Sequence, residues 1–156
     1  MIDKGAANMY RLYADGACKG NPGRGGWGYL IKRDDVPGFS MEQAGSEDYT
    51  TNNRMELLAV IQGLKSIPSE SKVQIVTDST YVITVSASRN PKIKNLDLVN
   101  EMKRELNRLD FSFTWVKGHS GHEENELVDK LASMAAKGEI GFVARENRSE
   151  TGIQRK

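Results

Sequence analysis

Apolar and polar positions change their period several times along this chain, and each change marks an element. From Met9 to Asp15 they alternate, with Tyr10, Leu12 and Ala14 on one side and Arg11, Tyr13 and Asp15 on the other, as in a strand. Trp27 to Lys32 and Phe39 to Ala44 alternate too, and the Gly, Pro and Asp residues between the runs suit the turns of an antiparallel meander. The period then becomes helical. Thr51-Asn52-Asn53 offers side chains able to cap a helix, Leu57, Leu58, Ile61 and Leu64 supply its apolar stripe, and Pro68 ends it. Val73, Ile75 and Thr77 alternate with Gln74, Val76 and Asp78 as a fourth strand, and Ser79 is placed to cap a short helix through Val85. Asn90-Pro91 breaks the chain. Val99, Met102, Leu106 and Leu109 keep helical spacing, Phe111, Phe113 and Trp115 alternate as a fifth strand, and a last helix from about Glu124 to Lys137 stops at Gly138.

The order βββαβααβα predicts an α/β fold. A helix separates strands three and four, so strand four returns parallel to strand one, giving a mixed five-stranded sheet with helices packed over it. The winding reverses beside strand one, and ligands of open α/β sheets gather at such a switch point, outside the carboxyl ends of the strands.

Composition narrows the setting. With 156 residues and 17.3 kDa the chain fits one domain, read as residues 8–138. A chain of this length buries about 68 to 70% of its unfolded surface and needs no staple. After Gly138 the sequence turns polar, so 139–156 reads as a flexible tail, frayed from about 142, as are residues 1–7. Cys18 is the only cysteine, which excludes an intramolecular disulfide and suits a reducing compartment. Lys plus Arg total 22 against 21 for Asp plus Glu, a formal charge of +1, so a polyanionic partner must be met by local charge. The start carries no secretory pattern and the longest apolar run is Leu57 to Ile61, so a cytoplasmic, membrane-free monomer is expected. Asn147-Arg148-Ser149 matches a glycosylation acceptor, which means nothing without export.

Four acidic residues stand against apolar neighbours rather than in polar runs. Asp15 ends the first predicted strand and Asp78 the fourth, and parallel pairing sets these two side by side. Glu56 lies early in the helix after Thr51-Asn52-Asn53, and Asp129 lies in the last helix. Crowded carboxylates repel, and partial burial makes their ionisation costly unless cations neutralise them. Magnesium fits best: it is hard, prefers oxygen, and is held by one or two carboxylates plus substrate phosphate. Four carboxylates suit two such ions roughly 3.5 to 4 Å apart, one activating water and the other stabilising a leaving oxygen, which is phosphodiester hydrolysis.

The wording around these residues resembles type 1 ribonuclease H. Tyr13-Ala14-Asp15-Gly16-Ala17-Cys18-Lys19-Gly20-Asn21-Pro22-Gly23, Thr51-Asn52-Asn53-Arg54-Met55-Glu56-Leu57, Val76-Thr77-Asp78-Ser79 and the run from Trp115 through Gly118-His119-Ser120-Gly121-His122 to Asp129 match its signature blocks in family order. The resemblance implies a ribonuclease H-like fold and an endonuclease cutting the RNA strand of RNA/DNA hybrids, with 5′-phosphate and 3′-hydroxyl ends. It implies that Asp15 bridges two Mg2+ ions, with Mn2+ a possible substitute, that Glu56 and Asp78 complete the ion on the leaving-group side, and that Asp129 holds the ion binding the attacking water. His119, on a loop flanked by Gly118 and Gly121, would assist proton movement or product departure, work that suits an imidazole titrating near about 6.5.

Cutting RNA alone requires contact with the 2′-hydroxyl, displayed in the shallow minor groove of A-like helices. By the same resemblance Gly16, Cys18, Asn21, Asn52 and Asn53 make that contact, and Thr51 seats a phosphate of the DNA strand. Thr80 stands where relatives often carry a longer polar side chain. Many bacterial relatives also insert a basic, tryptophan-bearing handle, whereas here only Ser86 to Asn95 separates Val85 from Leu96. Arg89, Lys92 and Lys94, or Arg145, Arg148, Arg155 and Lys156 in the tail, are candidate substitutes, and weaker hybrid binding is expected.

Other motifs carry less. Gly23-Arg24-Gly25-Gly26-Trp27-Gly28 fits G-x-G-x-x-G but leads into a strand, not the helix a dinucleotide site needs, and it lacks the ending of a P-loop. His119 and His122 have zinc-like spacing without a second ligand cluster. A non-catalytic hybrid-binding module would be expected to lack metal carboxylates. A DNA nuclease or strand transferase of the same fold is disfavoured by the Asn52-Asn53 pair and the Gly-His-Ser-Gly-His loop.

Overall fold

Strict alternation in the first and fourth strands buries both faces of one sheet, and the architecture follows from what covers each face. The computed structural model describes residues 9–118 and 121–140 and the backbone of 143–147. Its strands are β1 (Met9–Cys18), β2 (Gly23–Arg33), β3 (Ser40–Thr50), β4 (Lys72–Thr77), β5 (Asp110–Trp115) and β6 (Val143–Asn147). Its helices are α1 (Asn52–Lys65), α2 (Thr80–Ser86), α3 (Leu96–Asn107) and α4 (Glu123–Ala136). The sheet order is β5-β4-β1-β2-β3-β6. β1 pairs parallel with β4, and β4 with β5, while β1 with β2 and β2 with β3 form the antiparallel meander. All five predicted strands and all four predicted helices are present in the predicted order.

One face belongs to α1. Leu12, Ile31 and Ile75 point from the sheet toward Leu57, Ile61 and Leu64 of α1, all almost fully buried, with Val99 and Met102 of α3 in the same core. Each such side chain contributes about 1.5 to 3 kcal/mol by leaving water. Tyr13, Leu30 and Val76, on the opposite face, pack with Val128 of α4.

Four boundaries differ from the sequence reading, one of them the end of β3, which runs to Thr50 and not Ala44. β1 does not end at Asp15 but runs to Cys18, and β2 begins at Gly23, so the Gly-rich run read as a turn is a strand. Gly26 and Gly28 are there because α4 lies directly on the strand: a Cβ at Gly26 would stand 2.3 Å from the Ala132 carbonyl oxygen and 2.5 Å from the Ala136 nitrogen, while a Cβ at Gly25 would meet Thr50 and Met55 on the other face. β6 adds a sixth strand, antiparallel to β3, in a stretch read as a frayed end. Five residues with one alternation are too short a pattern to separate from polar coil. Pairing with an existing edge supplies what the pattern lacks.

Candidate active site

The site forms where β1 and β4 part. Their pairing ends at Tyr13↔Val76, so Asp15 and Asp78 are each two residues past the last matched pair and remain in register. Beyond that point β1 is held by β2 alone, through Cys18↔Gly25. Alternation turns Asp15 to the α4 side, where Asp129 sits, and turns Gly16 to the α1 side. A Cβ at Gly16 would stand 2.5 Å from the Glu56 nitrogen, so only glycine lets the first turns of α1 lie against β1 there.

Capping places Glu56. The Thr51 hydroxyl accepts from the Arg54 N–H at 3.3 Å and starts α1, and the Asn21 side-chain oxygen accepts from the Asn52 N–H at 2.9 Å. Glu56 is thereby set one turn into the helix, facing the sheet. Asp78 lies between β4 and α2, where the Ser79 hydroxyl accepts from Val82 N–H at 3.1 Å and Thr77 Oγ1 accepts from Ser79 N–H at 3.0 Å.

Carboxylate oxygens of Asp15, Glu56 and Asp78 lie within 4.8 Å of one another. Asp15 and Glu56 are 7% and 6% exposed, far too little for water to screen them. The Gly16 N–H donates to Asp15 Oδ1 at 2.9 Å and to Glu56 Oε1 at 3.0 Å, and Glu56 Oε2 is buried with no hydrogen-bond partner. Burial first, and then the charges of Asp78 and Asp129, push Asp15 up to about 7, against the lowering effect of a hydrogen bond to Glu56 and of the Gly16 N–H. Glu56 is driven well above the usual carboxylate range by burial and by the neighbouring Asp15 charge. Asp129 is not in the tight cluster, yet it lines the same open cavity of about 390 Å³.

A family model described as RNase H matches residues 7–137. The chain belongs to the ribonuclease H family. It is 48% identical to the Ribonuclease HI of Neisseria meningitidis serogroup B, over 80% of this chain and 93% of the relative. It is 46% identical to the Ribonuclease H of Hydrogenovibrio crunogenus, over 80% of this chain and 92% of that one. Among solved structures, the type 1 enzyme LC9-RNase H1, described as having the type 2 active-site motif, is similar with a TM-score of 0.73 at 32% identity, covering 88% of this chain and 77% of that one. The likeness to these type 1 enzymes assigns the chain to type 1 ribonuclease H.

Within that family assignment, the predicted residues fall into three groups. Asp15, Gly16, Asn52, Asn53, Glu56, Asp78, Thr80 and Asp129 all line the one cavity. Cys18, Asn21 and Thr51 are not among its lining: the Cys18 thiol donates to the Thr50 carbonyl at 3.3 Å, while Asn21 and Thr51 serve the start of α1. His119 lies outside the described residues, as do Arg148, Arg155 and Lys156.

Ser79 and Tyr81 also line the cavity, and sequence reasoning gave neither a role beyond capping or helix. Nothing in a helical turn marks Tyr81. Its position is fixed from elsewhere: Asn95 Nδ2 donates to the Tyr81 hydroxyl at 2.9 Å, and Arg54 donates to Asn95 Oδ1 at 3.2 Å. Arg54 also pairs with Asp97 at 2.8 Å and holds that carboxyl down at about 2. The short connection between α2 and α3 is thus tied back to α1 beside the cavity.

The donor set fits a hard divalent cation. It is all oxygen, partly desolvated, and includes the buried Glu56 Oε2 whose unmet demand a cation would satisfy. Of the two histidines with zinc-like spacing, His122 is exposed at the start of α4 and His119 lies outside the described residues.

Proposed function

We propose that this chain is an endoribonuclease hydrolysing the RNA strand of RNA/DNA hybrids, leaving 5′-phosphate and 3′-hydroxyl ends, with two Mg2+ ions as cofactors. The observation that carries the reading is the convergence of Asp15, Glu56 and Asp78 within 4.8 Å, with Asp129 in the same cavity, in a chain of the ribonuclease H family. Asp15 would be shared between the ions, Glu56 and Asp78 would serve the leaving-group side and Asp129 the water side. When bound, such ions supply a more acidic attacking water and charge neutralisation at the leaving oxygen.

The chain's own groups do the rest. Burial and crowding raise both Asp15 and Glu56, so loading the site with cations favours their ionised forms and releases protons. Asn52, Asn53 and the Gly16 backbone stand at the cavity wall with small polar groups suited to a 2′-hydroxyl. Thr80 adds a hydroxyl at the same wall. Cys18, Asn21 and Thr51 border this surface through the β1–β2 connection and the α1 start, with Thr51 toward a DNA-strand phosphate. His119 assists proton movement or product departure. Residues 8–138 make up the catalytic unit, β6 extends its sheet beyond that unit, and the protein acts as a cytoplasmic monomer. Among the described residues no helix is long and apolar enough to cross a membrane.

The test is cleavage of labelled RNA/DNA, DNA/DNA and RNA/RNA duplexes with Mg2+, by the parent and by Asp15→Asn. The expected result is cutting of the hybrid's RNA strand alone, lost in the variant. Cutting of DNA duplex would point to another nuclease of this fold, and binding without cutting to a non-catalytic module.

A further inference from the structure

Asp78 differs from the other carboxylates in lying outside regular structure, between the last residue of β4 and the cap of α2. A ligand on a turn wanders unless its backbone is pinned, and the pins here come from the end of β5. The Val116 N–H donates to the Thr77 carbonyl at 3.0 Å, extending the β4–β5 ladder one step past the strand. Next to it the Trp115 indole Nε1–H donates to the Asp78 carbonyl at 3.1 Å. Three residues on, Gly118 closes over the carboxylate itself: a Cβ built there would lie 2.8 Å from Asp78 Oδ2.

Trp115 makes this bond from an unusual place. The residue is 52% exposed at the end of the edge strand, and it belongs to neither apolar core. Burial does not explain why the largest side chain stands there. An indole explains it better: it offers one rigid donor and no acceptor, so it can serve a carbonyl without competing for the carboxylate.

We propose that Trp115 is a positioning residue for the proposed cation site: its indole N–H, together with the close approach of Gly118, fixes the Asp78 backbone so that the carboxylate faces Asp15 and Glu56. This rests on the functional reading above only for the identity of the ion. The pinning itself is a property of the chain and is tested by metal binding without substrate.

The first measurement uses the parent protein. In an NMR titration with Mg2+ alone, the Trp115 indole N–H signal, assigned by its loss in Trp115→Phe, shifts in step with metal occupancy, while the buried Trp27 signal does not. The second compares Mg2+ affinities by calorimetry. Trp115→Phe keeps the ring and removes the donor, and it weakens Mg2+ roughly 3- to 30-fold with the melting temperature held within about 3 °C. Gly118→Ala, which crowds Asp78 Oδ2 from the other side, weakens Mg2+ as well. In an Asp78→Asn background the Trp115→Phe change has no further effect on affinity. With hybrid substrate, Trp115→Phe lowers kcat at limiting Mg2+ and leaves KM for the hybrid within about twofold.

An indole signal that ignores Mg2+, or a Trp115→Phe affinity within twofold of the parent, overturns the proposal. So does a raised KM for the hybrid with unchanged metal affinity, which would make Trp115 a substrate contact. A parent that binds Mg2+ with these signatures but leaves the hybrid intact would defeat the ribonuclease reading and leave the positioning role standing.

Discussion

Asp15 and Glu56 accept from a single backbone donor, the Gly16 N–H, at 2.9 and 3.0 Å. One amide cannot offset two buried carboxylate charges, and both groups titrate high in consequence. The fold therefore holds its acidic centre at a cost, which the proposed divalent cations would relieve.

Stability of the metal-free protein should fall as pH rises toward 8. Asp15 titrates at about 7 in the fold against 3.8 for an ordinary aspartate, so between those values the folded chain binds more protons than the unfolded chain. Its contribution is present at pH near 4 and is lost as pH rises through 7, and Glu56 acts in the same direction. Melting in EDTA is expected at a lower temperature at pH 8 than at pH 5.5. Saturating Mg2+ should reverse the order, because the ions select the ionised site. Equal midpoints in EDTA would show that the pair is not desolvated as described.

Asp15→Asn should separate stability from activity. It removes one charge from the tight cluster of three while keeping shape, so the metal-free variant is expected to be more stable than the parent at pH 8 by roughly 1 to 3 kcal/mol. Hybrid cleavage should drop by about 10³-fold or more, since the ligand proposed to be shared between the ions is gone. Denaturant melts and initial rates on one preparation check both signs. A variant that is less stable at pH 8 would mean that Asp15 is held by favourable contacts instead.

Much of this site was legible before the fold was known, and the reason is physical. Parallel pairing of two alternating strands dictates that Asp15 and Asp78 meet, and a cap at Thr51 dictates which turn of α1 carries Glu56. Asp129 was legible only as a helix position, and it lies in the cavity but outside the tight cluster of three. Tyr81 was not legible, because the bond that orients it comes from Asn95, 14 residues away. The Trp115 bond to the Asp78 carbonyl spans 37 residues and likewise leaves no local pattern. The start of β2 was missed because glycines read as turn when what crowds them, such as Thr50 and Met55 at Gly25 and α4 at Gly26, is distant in sequence.

Gly26→Ala tests that helix-on-strand contact. The added methyl would meet backbone atoms of α4 at 2.3 and 2.5 Å, which no side-chain rotation relieves. α4 must lift or tilt, and it carries Asp129. Destabilisation of about 1 to 3 kcal/mol is expected, with cleavage reduced even at temperatures where the variant stays folded. A variant of parental stability and rate would show that α4 has slack the packing does not suggest.

The last expectation concerns what holds the nucleic acid in a chain whose α2–α3 connection is only residues 87–95. Arg89, Lys92 and Lys94 are exposed there and make no ion pair among the described residues, so their charge is available to phosphate. The net charge of +1 gives no general attraction, which makes each local cation count. Each phosphate that a cation neutralises on a duplex contributes about 0.9 to the steepness of log affinity against log salt. Replacing Lys92 and Lys94 by Ala should lower that steepness by about 1 to 2 and weaken hybrid binding at low salt, with the two curves converging as salt rises. Measuring Kd for the hybrid in EDTA, across about 50 to 200 mM salt, separates this from any effect on chemistry. An unchanged slope would clear the connection of a binding role and move the search to Arg145 of β6 and the basic residues that follow it in sequence.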